Sequence, residues 1–129
     1  MLQKLFESGF RLINGDALNK ALSYPQVAYE NGITATPSGT VDTSVLLTET
    51  ISRITAVATA ADGVALPAAS PGAMMIVVNA DAADSMTVFA RGGSTINGTA
   101  GATGVAQAAG LTALYVCAAV GIWNRLLSA

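Results

Sequence analysis

The sequence predicts a mainly all-β protein: an antiparallel β-sandwich of jelly-roll-like type, preceded by an N-terminal arm containing a short helix. Two observations carry this expectation. From residue 40 onward, short runs of β-branched and apolar residues recur between Gly, Pro and Asp-Gly turn signals. Charge is also sparse: six Lys or Arg and eight Asp or Glu in 129 residues, with 25 alanines and 13 glycines. A chain so poor in charge and 52% apolar is not a disordered one.

The elements follow in chain order. Leu2, Leu5, Phe6, Phe10, Leu12 and Ile13 make an apolar opening segment without a clean long period. A short helix is expected over 17–22. Asp16 can cap it, because its carboxylate accepts the free N–H groups of a first turn. Leu18 and Leu22 share one face at i, i+4. Tyr24-Pro25 ends the helix, since proline pushes the residue before it out of the helical region. Asn31-Gly32 and Thr36-Pro37-Ser38-Gly39 are turn and linker signals. Residues 1–40 therefore read as an arm and linker, and 41–129 as the antiparallel β domain. The plainer alternative for the first part is a subdomain folded onto its own core.

Residues 43–53 fit a short helix or a strand, and their dense Thr and Ser favour a strand. Residues 53–59 read as a strand. Asp62-Gly63 suits a tight hairpin turn, with 64–66 as the returning strand. Pro67 and Pro71-Gly72 turn the chain. Met74–Asn79 is a continuous apolar run, expected to be buried on both faces. A polar loop, 81–84, leads to an alternating strand with Met86, Val88 and Ala90 on one side and Thr87 and Phe89 on the other. Gly92-Gly93 turns again, and Thr95-Ile96-Asn97-Gly98 is a short strand entering a turn. Segments 105–108, 111–119 and 122–127 are the last strands, separated by Gly110 and Gly121. The count is about seven or eight strands, in keeping with a sandwich or jelly roll.

Composition excludes several functions. A net charge of −2 is no footprint for nucleic acid. No His is present to act as general base or zinc ligand, and the single Cys117 can form neither an intrachain disulfide nor a cysteine cluster. Cys117 sits within an apolar run and reads as a buried thiol. The carboxylates Asp62, Asp81 and Asp84, with Glu30, Asp42 and Glu49, are the candidates for acid–base work, and turns and loops account for Asp62, Asp81 and Asp84. The pair at 81 and 84 lacks the spacing of a calcium loop. The glycines from Gly92 to Gly104 lack a P-loop lysine and a following helix. The expectation is a protein that is not an enzyme and uses no cofactor or metal. Trp123, the only tryptophan, reads as a core or interface anchor, with sugar stacking as the alternative.

So little charge implies burial in an assembly or in a membrane. The uncharged stretch 105–123 has nearly the length of a spanning helix. Gly110 and Gly121 bracket a run of strand length inside it, which favours a buried strand. Lys4 and Glu7 within the first apolar patch argue against a signal peptide.

Several short elements, taken together, resemble the small virion proteins of tailed bacteriophages. They are Arg11-Leu12-Ile13-Asn14-Gly15-Asp16-Ala17-Leu18-Asn19 and Asn31-Gly32-Ile33-Thr34-Ala35. Leu66-Pro67, Pro71-Gly72, Val77-Val78-Asn79, Thr95-Ile96-Asn97-Gly98 and Gly121-Ile122-Trp123 follow. The resemblance implies a trimeric, jelly-roll-like capsid decoration, or cement, protein. Such a protein sits on the capsid exterior and staples neighbouring copies of the major capsid protein. It carries no catalytic residues over. The apolar arm residues Leu5, Phe6, Phe10, Leu12 and Ile13 are then the expected capsid contacts, and the β domain the expected homotrimer. Two rivals stand beside this reading: a head-fibre or tail-fibre module binding a host glycan, and a minor membrane-associated protein with a C-terminal span.

Overall fold

The computed structural model describes residues 26–129. Leu5, Phe6, Phe10, Leu12, Ile13, Asp16 and the helix expected at 17–22 lie outside the described residues. The described part is all-β. Its eleven strands are β1 (Tyr29–Thr34), β2 (Val45–Leu46), β3 (Ile51–Ala56), β4 (Asp62–Leu66), β5 (Met74–Asn79) and β6 (Met86–Ala90), then β7 (Thr95–Ile96), β8 (Thr99–Ala100), β9 (Val105–Gln107), β10 (Thr112–Ala119) and β11 (Ile122–Leu127). Strand β1 falls within the segment read from sequence as arm and linker.

Two sheets form. The larger, sheet A, has the order β1-β3-β5-β10-β11-β7-β8, and the smaller, sheet B, the order β2-β4-β6-β9. The first six strands alternate between the sheets, so that β1, β3 and β5 stack in parallel in sheet A while β2, β4 and β6 stack in parallel in sheet B. Each pair of consecutive strands thus makes one coil of a short solenoid. Tyr29 lies beside Ile51 and Ile51 beside Ile76, and likewise Val45 beside Val64 and Val64 beside Val88. The chain then reverses: β9 pairs antiparallel with β6, and β10 antiparallel with both β5 and β11. Strand β7 joins β11 in parallel and makes a hairpin with β8.

This corrects the antiparallel expectation. Pairing is mixed, and the cause lies at the corners between strands. Asp62-Gly63 does not turn a hairpin. Asp62 opens β4, and Ala61 takes the left-handed conformation, with φ 76°. The Asp62 carboxylate gathers the corner, accepting the N–H groups of Ala58, Thr59 and Ser38 and the Thr59 hydroxyl at 2.7–3.3 Å. Strand β4 therefore leaves for the other sheet instead of folding back on β3. A parallel neighbour requires a crossover, and here the crossover contains a strand of the opposite sheet. In the β7–β8 hairpin, Asn97 and Gly98 both have positive φ, as a type I′ turn requires.

One core serves both sheets. Ile54, Val77, Ala113, Tyr115 and Trp123 from sheet A pack with Val64, Leu66, Met86 and Val88 from sheet B. Trp123 is wholly buried, and its indole N–H donates to Pro67 O at 3.1 Å. The outer face of sheet B is covered by the chain's own loops. All five residues of β4 are buried. A Cβ on Gly63 would collide with Ser44 Oγ and come within 2.7 Å of Phe89 Cε2, so loop and ring close directly over the glycine. Arg91 pins that loop through N–H donation to the carbonyls of Val41, Asp42 and Ser44.

Candidate interaction face

Sheet A has no such cover among the described residues. Its strands alternate. In β5, Met75, Val77 and Asn79 point to the core, while Met74 is exposed and Ile76 and Val78 are half-buried. In β10, Ala113, Tyr115 and Cys117 are buried, and Thr112, Leu114 and Val116 are half-buried on the outer side. Sequence reading expected β5 to be buried on both faces; within the described residues only its inner face is.

Register lines the outward residues into rows. One row runs Tyr29, Ile51, Ile76, Leu114 and Leu126 across five adjacent strands. Its two ends are the most open, with Tyr29 72% and Leu126 70% exposed. A second row holds Met74, Val116 and Asn124. Ile122, 42% exposed, extends the same side near the β10–β11 turn. Across β3, β5, β10 and β11 the outward positions carry one charged side chain, Arg53, and its guanidinium donates to Asn31 Oδ1 at 3.0 Å. At the β1 edge this face runs into an open groove lined by Gln26, Val27, Tyr29, Glu30, Asn31, Ile51 and Arg53.

Several polar side chains elsewhere among the described residues hold the fold. Gln107 Nε2 donates to Val77 O and Leu111 O, both at 2.9 Å, and Tyr115 O–H points to Gln107 Oε1 at 3.4 Å. Asn79 Nδ2 donates to Asp84 O and Gln107 O, both at 3.0 Å. Together these groups tie sheet A to β9 through the core. Burial pushes the Tyr115 phenol up to about 12, against the opposing charge of Arg125. The Thr59 hydroxyl, with the N–H groups of Thr59, Ser38 and Ala58, holds the Asp62 carboxyl below its ordinary value although burial acts the other way. The N–H groups of Asp84, Ala83 and Val57 do the same for Asp81. Both acids are thereby occupied as turn anchors. No group of three or more His, Cys, Asp or Glu side chains that could hold a metal ion occurs among the described residues. Cys117 is buried, with its thiol 3.0 Å from Ala119 O.

Trp123 is placed in the core and offers no face for stacking on a sugar. The stretch 105–123 is β9, β10 and the start of β11, so the helical-span alternative is overturned there. No helix among the described residues is long and apolar enough to cross a membrane. Sequence reading missed the outward row as a site. The available signal was that β5 and β10 read apolar on both alternating sets of positions, which half-solvated strands do not. No family model matches the chain, and neither a curated protein nor a solved structure does.

Proposed function

We propose that this chain is a non-enzymatic virion structural protein: a capsid decoration, or cement, protein that stabilises a phage head by binding between coat subunits. It works on the capsid exterior as a homotrimer, with no cofactor and no nucleic acid. The two-sheet body takes the part that a jelly-roll-like body plays in the proteins it resembles. The observation that carries the reading is the broad outer face of sheet A, apolar and bearing one charge. Exposed apolar patches of this extent mark interaction sites. The binding side chains of an assembly protein need no catalytic chemistry, and the polar groups of this fold are spent on turns and core ties.

In this proposal the arm residues Leu5, Phe6, Phe10, Leu12 and Ile13 meet the major capsid protein, and the β body meets its sister subunits. Apolar contact at about 25 cal/mol per Å² gives a shell-stapling protein its favourable term before the cost of association. The test is co-sedimentation of purified protein with capsids that lack it, together with the temperature at which those capsids rupture. Wild type should bind saturably and raise that temperature. A variant lacking residues 1–13 should do neither while keeping its β circular dichroism. Normal decoration by the deletion variant would remove the arm from the proposal. Failure of the full chain to bind any capsid would remove the proposal itself.

A further inference from the structure

We infer that the outer face of sheet A is a self-association face, covered in the working protein by copies of this same chain. Three observations favour that occupant. First, β5 and β10 are apolar on both alternating sets of positions, yet within the described residues only their inner sets are covered. Strands that run Met-Met-Ile-Val-Val and Leu-Tyr-Val-Cys belong to sheets covered on both sides. Second, the face offers a partner almost nothing electrostatic. Across β3, β5, β10 and β11 Arg53 is its one charge and is tied to Asn31, with Glu30 at the β1 edge beside it. A partner selected by opposite charge would find no match here, whereas a second flat, uncharged sheet face of the same make would. The chain supplies one such face per copy. Third, the size is right. Five strands at about 4.8 Å spacing and about 20 Å of strand length give on the order of 500 Å² in projection. That is of the same order as the roughly 800 Å² per partner of a standard stable interface.

Ile76 and Leu114 lie at the middle of the row, and Tyr29 and Leu126 close its ends. In the homotrimer proposed above, three such faces would meet around the three-fold axis. The inference gives that trimer its interface, but its test needs no capsid, so either can fail without the other.

The experiment is the solution mass of the full chain, by light scattering after size exclusion and by sedimentation velocity over a concentration series. The expected result is an oligomer. Leu126→Asp and Met74→Asp each place a carboxylate on an exposed position of the face, and each should weaken self-association by roughly a hundredfold or more. Tyr29→Ser on the edge strand tests the other end of the row without adding charge and should weaken it less. Thr103→Asp, exposed in the turn before β9, should leave the mass unchanged. Far-UV circular dichroism checks that each variant keeps its β content; Tyr29→Ser carries the test should the aspartates fail it. A monomer at all concentrations overturns the inference. So does an oligomer that Leu126→Asp, Met74→Asp and Tyr29→Ser all leave intact.

Discussion

Ala61 sits at φ 76°, a backbone region that costs a residue with a Cβ roughly 1 kcal/mol or more. Asp62 holds the corner there by accepting the N–H groups of Ala58 and Thr59 before it and of Ser38 from the neighbouring loop. Ala61→Gly should therefore raise stability in urea by about 1 kcal/mol, less the entropy that glycine adds to the unfolded chain. Two positions on, the sign reverses. Gly63→Ala would push a methyl into Ser44 and Phe89 and should destabilise by about 2–3 kcal/mol. Acid sensitivity belongs to the same scale. Asp62 and Asp81 have folded values below the ordinary 3.8, so their contribution is present above that pH and is lost as pH falls through the folded values. The melting temperature should fall below pH 4, and Asp62→Asn should flatten that fall. Tyr115 sets the alkaline limit: stability should hold below pH 10 and decline as pH rises from 10 toward about 12, as the unfolded phenol ionises first.

At the scale of elements, the solenoid coils depend on polar ties as much as on apolar packing. Gln107 is wholly buried in β9, yet it reaches Val77 O and Leu111 O and receives Asn79 through its own carbonyl. Gln107→Leu keeps the volume but strands those buried acceptors, and a loss of about 3 kcal/mol is expected in denaturant unfolding. Arg91 plays the corresponding part outside sheet B, holding residues 41–44 over Gly63 and Phe89. Arg91→Met should speed amide exchange in that loop while leaving β10 and β11 protected, because only the loop loses its donors. The edges of sheet A differ in kind. Strand β8 closes one edge as a two-residue hairpin arm, whereas β1 leaves six residues at the other, beside the groove at Gln26 and Val27.

For the whole molecule, the two sides are unequal. Among the described residues, sheet B is covered by loops that the chain itself supplies, and sheet A presents its outward row. In the proposed assembly, this asymmetry would account for the low charge of the sequence. A surface that will be buried against apolar neighbours does not carry charge, because removing charge from water is costly. A copy of the chain purified under native conditions should therefore run above its monomer mass, and the capsid binding proposed above would depend on residues 1–13 and not on Trp123, whose indole is enclosed.

The sequence by itself determined several of the strands in the second half of the chain, though not β1, which lies in the segment read as arm and linker. Met74–Asn79, the 86–90 alternation, Thr95-Ile96 before Asn97-Gly98, and the two final strands around Gly121 all stand where propensity and turn chemistry put them. These are local choices, made by β-branched side chains and by positions that require positive φ. Only the tertiary structure decided which strands are neighbours. A corner at Ala61-Asp62-Gly63 and a hairpin there look alike in sequence, since Asp-Gly is a turn signal for either. What separates them is where the next strand finds its hydrogen bonds: Val64 with Val45 and Val88 in sheet B, not with β3 in sheet A. The same holds for the outward row. Tyr29, Ile51, Ile76, Leu114 and Leu126 are scattered over nearly a hundred residues, and parallel register alone brings three of them into line before β10 and β11 complete it.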